Sequence, residues 1–145
     1  MVIIQNSLKD LFIDEKLLTE TLQKVLQDLG KSEYELLVRF VDRAEIQSLN
    51  KTYRQQNKAT NVLAFAPDLP AEIAENILGD VLICPQIISE EAAEQGKNFT
   101  NHLIHIALHG VLHLLGFDHK KSADAAKMEA LEVQILQKIG IENPY

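Results

Sequence analysis

At 145 residues the chain fits one domain, long enough to bury a core of its own. Its 46% apolar and 24% charged residues exclude a disordered chain, and its single cysteine, Cys84, excludes a disulfide framework or a Cys-rich zinc module. No apolar run reaches the roughly 18 residues that span a bilayer, and the net charge of −7 argues against general coating of nucleic acid while leaving room for one local basic site.

The start, MVIIQNSLKD, has neither the basic opening nor the apolar stretch of a signal peptide, so a cytoplasmic location without membrane contact is expected. Residues 2–6 are short and β-branched and predict a first strand. Asp14 is a candidate N-cap for a helix over 14–29, where Leu18, Leu22, Val25, Leu26 and Leu29 recur at helical spacing before Gly30. Residues 34–42 predict a second strand, whose Arg39 makes one face partly wet. A helix over 43–54 follows, with Ile46, Leu49 and Tyr53 on one side. Strands are predicted over 61–66 and 78–84, separated by a loop or edge segment. A helix over 85–96 ends at Gly96, and a long helix over 99–115 is apolar nearly all round, the mark of a buried helix. A last amphipathic helix over 121–139 ends at Gly140. This order predicts one α+β domain over residues 1–145: a small mixed four-stranded sheet packed with about five helices, the central buried helix carrying the histidines.

All five histidines lie between His102 and His119. His102, His105, His109 and His113 are offset by three, four and four, which places them on one stripe of the long helix. A polar stripe on a buried helix needs a cleft, a partner or a metal, because an unpaired buried polar group costs about 1–3 kcal/mol. His109 and His113, at i and i+4, have the spacing of two ligands to one ion. Gly116 breaks the helix and lets the chain return with His119 as third ligand, leaving an open position for water. The string from His109 to His119 has the H-x-x-x-H-x-x-G-x-x-H spacing of the metzincin peptidases. Those peptidases carry a Glu base directly after the first histidine; here that position is Gly110. The metal spacing is kept and the peptidase base is absent.

The string H-G-V-L-H-L-L-G-F-D-H resembles the signature of the YbeY family of endoribonucleases, H-G-x-L-H-L-x-G-[YF]-D-H. L-N-K-T-Y-R (Leu49 to Arg54), T-N-V-L-A-F (Thr60 to Phe65) and L-G-D-V-L-I (Leu78 to Ile83) are similar to further family segments, and Met128 and Glu132 fit its trailing M-x-x-x-E. The similarity covers about residues 45–139. Two positions depart from it: Ala64 stands where the family usually has Ser, and Ala66 where it usually has Pro. The resemblance implies a metal-dependent hydrolase, usually assigned zinc, that cleaves single-stranded RNA, matures the 3′ end of small-subunit ribosomal RNA and serves ribosome quality control.

On this reading His109, His113 and His119 hold one zinc ion, although three imidazoles also suit nickel or another divalent ion. Arg54 is the catalytic candidate, since a guanidinium matches phosphate bidentately and stays charged, and Lys51 and Lys58 make its surroundings basic. The expected partners are single-stranded RNA, small-subunit ribosomal RNA and the ribosome. His102 and His105 are expected to line the cleft or face solvent. Asp118 could hydrogen-bond a ligand imidazole, act on the water or be a simple turn residue, Asp80 could orient a ligand histidine or cap a helix, and Arg39 could line the same groove. Met128 and Cys84 are read as core residues. Two other classes compete: a ribosome-assembly binding factor with a structural metal, and a metallopeptidase with an unidentified base.

Overall fold

A computed structural model describes residues 1–8, 12–117 and 122–145. Nine elements follow in chain order among the described residues: β1 (Val2–Asn6), α1 (Glu15–Asp28), β2 (Glu35–Phe40), α2 (Arg43–Arg54), β3 (Val62–Phe65), β4 (Ile77–Ile83), α3 (Pro85–Gln95), α4 (Phe99–Leu114) and α5 (Ser122–Lys138). Each expected element is present, displaced by a residue or two at its ends. Local chemistry sets several of those ends. The Asp14 carboxylate accepts from the Leu17 amide at 3.0 Å, and that of Asp42 from Glu45 at 2.8 Å. Asn98 caps α4 in the same way, accepting from Asn101 at 3.1 Å. Gly116 follows α4 with φ +98°, the conformation the predicted break requires.

The sheet order is β1-β2-β4-β3. β1 and β2 run parallel, as do β2 and β4, while β3 is antiparallel to β4. Alternation along the strands divides the apolar residues between two faces. Leu36, Val38, Phe40, Val81 and Ile83 join the large core with α1, α4 and α5. Val41, Leu63 and Leu82 face the other way and form a smaller core with Ile46 of α2. The expected mixed four-stranded sheet and five helices are therefore both present, with α4 central in the larger layer. Met128 and Cys84 are buried in these cores, as the sequence suggested.

Gly110 shows how closely α4 approaches the sheet. A Cβ at this position would stand 2.8 Å from Val81 Cγ1 and 3.3 Å from Val62 Cγ2. The missing carboxylate thus has a packing cause: a side chain at 110 would run into β3 and β4, which α4 could not then approach.

Candidate functional site

α4 carries His105, His109 and His113 past the β3 edge of the sheet, into a cleft of about 710 Å³. Its lining includes His105, His109, Gly110 and His113 of α4, Val62 to Ala64 of β3, Arg54 from the end of α2, and Tyr145. The His109 and His113 rings stand 4.9 Å apart between centroids at 78°, as i, i+4 spacing predicts. His119 and Asp118 lie outside the described residues.

Arg54 reaches the cleft because α2 stops there: Gln55 adopts a left-handed conformation, φ 57°. The guanidinium donates to the Ala64 carbonyl at 2.8 Å and lies 4.8 Å from the centroid of the Phe65 ring. Phe65 in turn packs edge-on against Tyr53 at 5.5 Å. The Arg54 anchor on β3 is a main-chain oxygen, so Ala in place of Ser at 64 leaves it intact.

His102 and His105 correct one part of the expectation. Neither faces solvent; both are buried and bound to carboxylates. His102 Nε2–H donates to Glu91 Oε1 at 2.9 Å, and Glu91 also accepts from the Asn61 side-chain amide at 3.1 Å. His105 borders the cleft, and its Nε2–H donates to Glu132 Oε2 at 2.9 Å. The pair therefore ties α4 to α3 and α5.

Glu132 is fully buried and receives three donors. Oε1 accepts from His109 Nδ1–H at 2.6 Å, while Oε2 accepts from His105 and from the Tyr145 hydroxyl. Burial alone would raise its pKa. The hydrogen bonds from His105, His109 and Tyr145 outweigh that effect and hold it down to about 2. The Tyr145 hydroxyl moves the other way, its pKa raised by burial and by the Glu132 carboxylate. An ionised Glu132 can only accept, which fixes the His109 proton on Nδ1 and leaves Nε2 as the ring's lone-pair nitrogen. This carboxylate–imidazole arrangement fits a metal ligand, and neutral imidazole donors suit a zinc-like ion.

Arg39 and Asp80 have other places. Both lie on the sheet face turned toward α2, by strand alternation, away from the α4 histidines. Arg39 pairs with Glu45 at 2.5 Å, and burial raises the Asp80 pKa against the opposing effect of Arg39. Neither lines the cleft.

Glu91 and Tyr145 went unassigned in the sequence, and Glu132 entered only as a motif match. Glu132 had a readable signal, as a carboxylate inside the apolar face of a helix. Tyr145 had none, because its place depends on the tail folding back across α4 and α5.

Comparison with known proteins bears on the family and the fold. The family model described as Endoribonuclease YbeY matches residues 3–140. A protein named Endoribonuclease YbeY from Vesicomyosocius okutanii is 59% identical over 145 residues, covering 100% of both chains. The namesake from Ruthia magnifica is 56% identical over the same full lengths. The solution structure of a Thermotoga maritima protein superposes with a TM-score of 0.67 at 27% identity, covering 96% of this chain and 89% of that one. A buried helix with paired histidines, the signature string around it and full-length identity to these relatives converge: the chain belongs to the endoribonuclease YbeY family.

Proposed function

We propose that the chain is a metal-dependent endoribonuclease specific for single strands, with zinc held by His109, His113 and His119 and the RNA phosphate held by Arg54. The observation that carries this reading is one cleft lined by a pair of imidazoles, His109 and His113, the first oriented by the Glu132 carboxylate, and by an anchored guanidinium. The names of its relatives support RNA as the substrate. By the same family reading its substrate is the 3′ end of small-subunit ribosomal RNA, its setting the cytoplasm and the ribosome, and its wider task ribosome quality control.

A divalent ion at such a centre would lower the pKa of a water molecule and polarise a phosphoryl oxygen. The remaining work belongs to the chain. Arg54 binds the phosphodiester through its free N–H groups and offsets the charge that grows on the phosphoryl oxygens. Its hold on the Ala64 carbonyl and the Phe65 ring keeps the guanidinium in place before substrate arrives. Glu132 keeps the proton of His109 on Nδ1 throughout, so Nε2 stays a donor atom. Gly110 leaves no carboxylate at the peptidase position, which counts against peptide hydrolysis.

The test compares wild type, His113→Ala and Arg54→Ala for bound metal and for cleavage of single-stranded RNA. His113→Ala should lose metal and cleavage together. Arg54→Ala should keep its metal and its melting temperature yet cleave at least tenfold more slowly, since Arg54 is exposed. Equal cleavage by all three would mark a contaminant. The acidic chain would then be read as a ribosome-assembly binding factor with a structural metal.

A further inference from the structure

Tyr145 is 59% exposed, yet its side chain is held firmly. Its hydroxyl donates to Glu132 Oε2, and its ring meets His105 edge-on at 5.5 Å and 87°. The backbone is held too. The Tyr145 amide donates to Asn143 Oδ1 at 2.9 Å, and Lys97 Nζ donates to the Pro144 carbonyl at 2.9 Å. The ring therefore stands in one orientation at the wall of the cleft that Arg54 and His109 also line.

Proteins grip single strands by combining cations on the phosphates with aromatic rings under the bases. Arg54 supplies the first, and a fixed, part-exposed ring supplies the second. A ring already oriented loses little conformational freedom when a base settles on it. We propose that Tyr145 is a base-stacking platform for the RNA strand in this cleft, which rests on the single-strand reading above. The edge-on contact with His105 and the two backbone bonds set the angle of the ring, the hydroxyl tether to Glu132 adds to that hold, and the ring accepts any base because every base has a π-face.

The test measures binding of two labelled 2′-O-methyl RNA strands of about eight nucleotides to the metal-loaded protein, one strand carrying bases and one abasic throughout. Wild type should prefer the strand with bases. Tyr145→Leu should bind that strand about 5- to 100-fold more weakly and the abasic strand unchanged. Tyr145→Phe, which keeps the ring, should retain most of the preference. With cleavable RNA, Tyr145→Leu should raise KM more than it lowers kcat, at unchanged metal content. If Tyr145→Leu weakens both strands alike, or Tyr145→Phe loses as much as Tyr145→Leu, the platform is overturned while the RNA reading stands. If wild type binds neither strand, the RNA reading falls and takes the platform with it.

Discussion

Glu132 sits on α5 between Met128 and Leu136, one turn to either side, both apolar and fully buried. Its carboxylate reaches across to α4 and fixes which nitrogen of His109 holds the proton. Glu132→Gln replaces an acceptor-only group with one that also donates, and disturbs that tautomer. It should weaken metal binding by about 10- to 100-fold, as measured by titration of the chelator-stripped protein. Melting of the stripped protein should also fall, because three donors lose their ionised, fully buried partner. The position was legible as a charge where the helical period demanded an apolar residue. His109, His113 and Gly110 were legible through spacing alone. His102 and His105 were not, since their partners Glu91 and Glu132 are 11 and 27 residues away and only tertiary packing unites them.

α4 was readable end to end because an all-round apolar run of its length has no other stable place than a core. Its depth was not readable. That depth comes from Gly110, where the helix backbone meets Val81 and Val62. Gly110→Ala must push the helix outward or displace two valines, and should destabilise the protein by about 1–3 kcal/mol in urea unfolding. At a helix end away from the cleft, Asp42→Ala should cost about 1 kcal/mol by removing the cap of α2. Strand order was beyond the sequence as well. Alternation shows which face of a strand is apolar but not which neighbour it takes, and β4 enters between β2 and β3.

Across the whole molecule the sheet separates two unequal cores. α1, α4 and α5 cover one face, and α2 covers the other through Ile46 and its neighbours. Leu26→Ala in the large core and Ile46→Ala in the small one should each cost about 2–5 kcal/mol in denaturant unfolding. Their effects on the cleft should differ. Ile46 seats the helix that ends in Arg54, so Ile46→Ala should also raise the KM for RNA at temperatures where the protein is still folded, whereas Leu26→Ala should not. The Glu132–His109 bond has a consequence in time. His109 precedes its carboxylate by 23 residues, and Tyr145 follows that carboxylate by a further 13. During synthesis the sheet and α4 emerge first, and the imidazole stays unoriented until α5 has been made and docked. A growing chain on the ribosome thus carries the histidines of the centre before it can arm them.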